Sequence, residues 1–221
     1  MKALSNLAQS VRASTTLAID TQFNKMRSEG IDVIGFSVGQ PDFPTPEHIK
    51  QAGIRAIQEN LTKYTPTPGT PAVRKAVADR LDADWGLDYT PEEIVVSGGG
   101  KPILYVALKT LIDPGDEVIL PAPYWVSYYE LIKMVGGVPV VVTTTEENGF
   151  NLTPEQLQAA ITPKTKALML NSPSNPTGMI YSREHLEDIA KVCLDNDLYV
   201  IADEMYSKLV FDNKEFVSFP T

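Results

Sequence analysis

The stretch Ala167-Leu168-Met169-Leu170-Asn171-Ser172-Pro173-Ser174-Asn175-Pro176-Thr177-Gly178 decides how the rest of the chain is read. Its apolar run ends in a polar, proline-rich turn. A segment with helical spacing follows, and a second run, Leu198-Tyr199-Val200-Ile201-Ala202, stops at Asp203-Glu204-Met205-Tyr206. Two short apolar runs joined by a helix make a βαβ unit, whose parallel strands need a crossover helix and are covered on both faces. Open α/β sheets bind ligands just past the C-terminal ends of their strands. Asn175, Asp203 and Tyr206 all fall there, so the pattern brings them to one pocket.

Toward the N-terminus the same alternation recurs. Ile94-Val95-Val96 reads as a strand and runs into Ser97-Gly98-Gly99-Gly100-Lys101, with Ile103, Leu104, Ala107, Leu108 and Leu111 then at helical spacing. Glycines let a backbone close on a ligand, and free N–H groups at a helix start bind phosphate. Alone, this turn admits either a plain strand–helix connection or a phosphate site. It lacks the Lys-Ser/Thr ending of a Walker A loop and the G-x-G-x-x-G spacing of a dinucleotide fold. Glu117 to Leu120 is the next strand, ending in Pro121-Ala122-Pro123-Tyr124-Trp125. Trp125 fits core packing, and equally a flat ring stacked on a planar ligand at a strand end. A helix over 128–135 stops at Gly136-Gly137, a strand covers 138–142, and a helix near 154–161 is capped by Thr153. Strands at 94–96, 117–120, 138–142, 167–170 and 198–202, with helices between them, specify an α/β fold with a doubly wound, mostly parallel sheet.

Residues 1–30 read as an arm with a helix over about 16–29, stopped by Gly30. A strand is expected over 33–38, then the fixed loop Gly39-Gln40-Pro41-Asp42-Phe43-Pro44-Thr45-Pro46. Thr45 is placed to cap a helix over 46–60, and Lys63-Tyr64-Thr65-Pro66 leads to a helix from Pro71 to Trp85 with Val73, Val77 and Leu81 on one face. This organisation divides the chain into an N-terminal arm and small-domain segment, 1–44, and a large domain, 45–221.

Composition narrows the function. The 221 residues are 43% apolar and 21% charged, as in ordinary globular proteins. A net charge of −9 argues against a nucleic-acid or anionic-membrane binder. No apolar run approaches a membrane span, the first residues lack the apolar core of a secretory signal, and one cysteine, Cys193, fits a reducing cytoplasm and a small core residue. One cysteine with His48 and His185 far apart gives no metal-ligand spacing.

Asn-Ser-Pro-Ser-Asn-Pro-Thr-Gly followed by Ala-Asp-Glu-Met-Tyr resembles the class I/II aminotransferases, enzymes of the pyridoxal 5'-phosphate (PLP) fold-type I, over nearly the whole chain. The resemblance implies PLP as cofactor, held by its phosphate at the backbone of Gly99, Gly100 and Lys101. It implies that Trp125 stacks on the ring, that Asp203 keeps the pyridine nitrogen protonated, and that Asn175 and Tyr206 bond the ring's 3-oxygen. Gly39, Trp125 and Asn175 would meet the substrate, and Tyr64 the cofactor phosphate of a neighbouring subunit in a homodimer. The implied reaction moves an amino group from an amino acid of aspartate or aromatic type to a 2-oxo acid such as 2-oxoglutarate. A C–S lyase of the same fold and a non-catalytic PLP-binding domain are the alternatives. The family's Schiff-base lysine and its substrate-clamping arginine are expected beyond Thr221. Lys208 lies only two residues after Tyr206 and lacks the downstream Gly-x-Arg.

Overall fold

The computed structural model describes residues 2–11, 15–35 and 43–221. In chain order the helices are α1 (Asn6–Ser10), α2 (Thr15–Ser28), α3 (Glu47–Gln58), α4 (Pro71–Trp85), α5 (Gly100–Leu111), α6 (Val126–Val135), α7 (Pro154–Ala160) and α8 (Arg183–Asp195). The strands are β1 (Glu117–Ala122), β2 (Val138–Thr143), β3 (Thr165–Asn171) and β4 (Tyr199–Asp203). The chain parts into two compact units, Met1–Arg12 with Pro71–Thr221, and Ala13–Thr70.

The larger unit is built on a parallel sheet in the order β2-β1-β3-β4. Its central strands alternate sides with period two, and both sides are buried. Val118, Leu120, Ala167 and Met169 pack with Leu104 and Leu108 of α5 and Leu131, Ile132 and Val135 of α6. Ile119, Leu168 and Leu170 pack the other way, with Leu157 of α7 and Leu186, Ile189 and Cys193 of α8. This two-sided burial is why β1 and β3 read as unbroken apolar runs. Cys193 lies deep in the second core, where burial pushes its thiol up to about 11, so it is packing material at neutral pH.

The helix starts follow local chemistry. Thr153 accepts from the Gln156 N–H, and the Gln156 side chain accepts from the Thr153 N–H, forming a capping box at α7. Ser182 caps α8 in the same manner, accepting from His185 N–H. Gly136 ends α6 in the left-handed region at φ 97°, a conformation that favours glycine.

Three expectations change. Residues 94–96 form no strand, and Val95 and Val96 are exposed. A strand exists only where a neighbour offers its edge, and none among the described residues does so here. The strand expected over 33–38 has no regular structure at 31–35, and its remainder, with Gly39, lies outside the described residues. Thr45 does not cap α3, because Pro46 itself occupies the cap position and makes no side-chain bond. The short α1, capped by Ser5, was not legible in the arm.

Candidate functional site

The C-terminal ends of β1, β3 and β4 open on a cleft of about 170 Å³ lined by Gly100, Lys101, Leu104, Trp125, Tyr128, Asn175, Asp203, Met205 and Tyr206. Parallel strands bring these residues together, because register aligns Asn171 with Asp203 across β3 and β4. Six of the residues expected from sequence therefore share one cleft, and Gly99 adjoins it at the start of α5. Tyr64 belongs to the smaller unit, where its side chain is fully exposed.

Asp203 closes β4 with each carboxylate oxygen held. Tyr128 donates its O–H to Oδ2 at 2.7 Å, and the Met205 N–H donates to Oδ1 at 3.1 Å. Its backbone carbonyl accepts from Asn171 Nδ2 at 2.8 Å and from Ser172 N–H at 3.2 Å. Asn171 Oδ1 in turn accepts from the Asn175 N–H at 2.7 Å. One strand-end asparagine thus ties the two polar turns together. Asn175 Nδ2 faces the Tyr206 hydroxyl at 3.4 Å, a long contact that leaves both groups free to bond a ligand atom between them.

Tyr128 was missed from sequence, where it read only as a helix start. It sits three residues after Trp125, and that spacing on the first turn of α6 points both toward the same side. Trp125 packs edge-on to the Tyr128 ring, with centroids 5.3 Å apart. Burial, and then the nearby Asp203 charge, push the Tyr128 hydroxyl far above its ordinary range, so it stays a neutral donor. Tyr128→Phe leaves Oδ2 without that donor and is expected to lower stability by about 1–2 kcal/mol, read from the midpoint of urea unfolding.

Across the cleft, α5 begins at Gly100 after Gly99 at φ 129°, a backbone setting that a side chain would strain. A Cβ at Gly98 would meet nothing, and one at Gly100 only Met205 at 3.8 Å. The glycines therefore keep clear a space that the protein does not fill, and the first N–H groups of α5 face it without acceptors in their own helix. The Lys101 ammonium lies 5.0 Å from the centre of the Trp125 ring at the rim of the cleft, and the residue stays exposed to solvent, as expected from sequence. Lys208 turns elsewhere, to Asp84 at 2.9 Å and over the Trp85 ring at 5.1 Å. Among the described residues no group of His, Cys, Asp and Glu is placed to hold a metal.

The arrangement suits a flat, anionic ligand. An anion fits the glycine turn, an aromatic ring fits the Trp125 face, and a cationic ring nitrogen fits beside Asp203. Residues 31–220 match the family described as aminotransferase class I and II. The chain belongs to that family. An aspartate aminotransferase of Bacillus sp. (strain YM-2) is 48% identical over 215 residues, 97% of this chain and 55% of that protein. An aspartate/prephenate aminotransferase of Thermus thermophilus is 44% identical, with 98% of this chain and 56% of that protein covered. The solved aspartate aminotransferase from Thermus thermophilus with maleate superimposes with a TM-score of 0.95 at 43% identity, covering 99% of this chain and 57% of that one. The chain thus spans little more than half the length of the aminotransferases it matches. The doubly wound parallel sheet expected from sequence is the one these aminotransferase structures share.

Proposed function

We propose that this chain supplies the cofactor-holding part of a PLP-dependent aminotransferase. The reaction would move an amino group from an amino acid of aspartate or aromatic type to a 2-oxo acid such as 2-oxoglutarate. The observation that carries this reading is the shared cleft of Asp203, Trp125, Asn175 and Tyr206 facing an unfilled glycine turn. When bound, PLP supplies an electron sink for bond changes at the amino-acid carbon. The residues do the rest. The Asp203 carboxylate favours a protonated ring nitrogen, and Tyr128 and the Met205 N–H fix the direction in which it points. Trp125 would cover one ring face, and Asn175 and Tyr206 would donate to the ring oxygen. The backbone of Gly99, Gly100 and Lys101 would hold the phosphate at the start of α5.

Family membership supports the remaining assignments, which stay proposals. Gly39 would meet the substrate carboxylate, and Tyr64 would reach the phosphate of a second subunit in a cytoplasmic homodimer. Residues 1–44 would serve as arm and small-domain segment, and 45–221 as the cofactor-binding domain. The names of the relatives, aspartate and aspartate/prephenate aminotransferases, favour amino transfer over a lyase outcome.

A titration with PLP, followed by Trp125 fluorescence in a Trp85→Phe background, tests the cofactor reading. Saturable quenching is expected, with pyridoxal, which lacks the phosphate, binding at least about tenfold more weakly. Equal affinity for the two, or no saturable quenching, would count against it.

A further inference from the structure

Asp203 and Glu204 are neighbours at the end of β4, and alternation sends their side chains to opposite faces of the sheet. Asp203 meets Tyr128 on the face of α5 and α6. Glu204 meets a returning segment on the other face. Its Oε2 accepts from the Ser218 hydroxyl at 2.7 Å and its Oε1 from the Phe219 N–H at 2.7 Å. Ser218 is buried, and Val217 and Phe219 on either side of it pack against the core of α7 and α8. Burial pushes the Glu204 carboxyl upward, while the two hydrogen bonds pull it the other way. A carboxylate kept half-buried for two bonds to one tripeptide closes the loop 204–219 at its base.

That loop begins with the cleft residues. Its first turn is held by Ser207 N–H to Glu204 O at 3.0 Å and Leu209 N–H to Tyr206 O at 2.8 Å. Met205 and Tyr206 line the cleft between those two bonds. Lys208 within the turn and Phe216 beyond it both lie against Trp85, and the chain then returns to Glu204. Among the described residues β4 pairs only with β3.

We propose that Glu204 is a positioning residue: by clipping Ser218 and Phe219 to the end of β4, it fixes the turn that aims Asp203 and Tyr206 into the cleft. The proposal rests on the cofactor reading above for its functional consequence, but its structural half stands apart from it.

Amide hydrogen exchange and PLP titration, run on the wild type, Glu204→Ala and Glu204→Gln, test it together. In Glu204→Ala the amides of Phe219, Met205, Ser207 and Leu209 should all exchange about tenfold faster, and PLP affinity should fall about tenfold. Glutamine keeps an acceptor for Phe219 N–H and the shape of the clip, so Glu204→Gln should restore most of both. Faster exchange at Phe219 with no change at Met205, Ser207 and Leu209 would overturn the proposal, since Glu204 would then hold only the returning segment. So would unchanged PLP affinity in a variant whose turn has opened. If Glu204→Ala does not fold, Ser218→Ala removes one of the two bonds and carries the test, with roughly threefold faster exchange at the same turn amides expected. If the wild type takes up no PLP, the cofactor reading fails, while exchange at the turn still decides the clip.

Discussion

Asp203→Asn is expected to weaken PLP binding on the order of a hundredfold while leaving the empty protein folded and nearly as stable. Asparagine is close in shape to aspartate. Its Oδ1 still accepts from the Met205 N–H, and its Nδ2 can donate to the Tyr128 hydroxyl, which turns its own proton away. What is lost is the negative charge. In a cleft walled by Trp125, Leu104 and Tyr128, a charge beside a protonated ring nitrogen interacts more strongly than it would in open water. The substitution therefore separates a charge effect from a packing effect. Fluorescence titration supplies the affinity, and thermal melting without PLP supplies the stability. An affinity within threefold of wild type would remove Asp203 from the role of ring-nitrogen partner. A comparable loss in Glu204→Gln, whose substituted group faces the opposite side of the sheet, would show that position rather than charge governs the site.

Much of this site was legible because strand ends and motifs coincide. The run 167–170 stops where β3 stops at Asn171, and the run 198–202 stops where β4 delivers Asp203. The alternation that divides Ile119 and Leu168 from Val118 and Met169 is what makes such runs apolar throughout. What stayed hidden depended on distant pairing. Tyr128 and Asp203 stand 75 residues apart in sequence and meet only because α6 packs over the sheet. Glu204 was given no role from sequence, since nothing local announces that Ser218 and Phe219 return to it. Residues 94–96 have the composition of a strand, yet strand formation needs a partner edge, which composition does not contain. The family motif drew attention to Asn175, Asp203 and Tyr206 and passed over Asn171, whose side chain joins both turns.

The sheet itself makes the other large prediction. Leu168→Ala is expected to destabilise the larger unit by about 3–4 kcal/mol. Leu168 has no exposure, and its strand is hydrogen-bonded on both edges, opposite Ile119 of β1 and Val200 of β4. Its side chain enters the core shared with Leu157 and Ile189, so truncation leaves a cavity between the sheet and the helices α7 and α8. Two paired strands hold the backbone, and the walls of that cavity can close only partly. Against a total of about 5–15 kcal/mol for a domain, this is a large fraction. Val138→Ala, on the edge strand β2 where the side chain is 45% exposed, should cost less than about 1 kcal/mol. Urea unfolding of both variants measures the contrast through the shift in midpoint at constant slope. A loss below about 1 kcal/mol at Leu168 would mean that the second face of the sheet is loosely packed. The clip at Glu204, which draws Val217 and Phe219 onto that same core, would then lack the rigid base from which it orients the cleft.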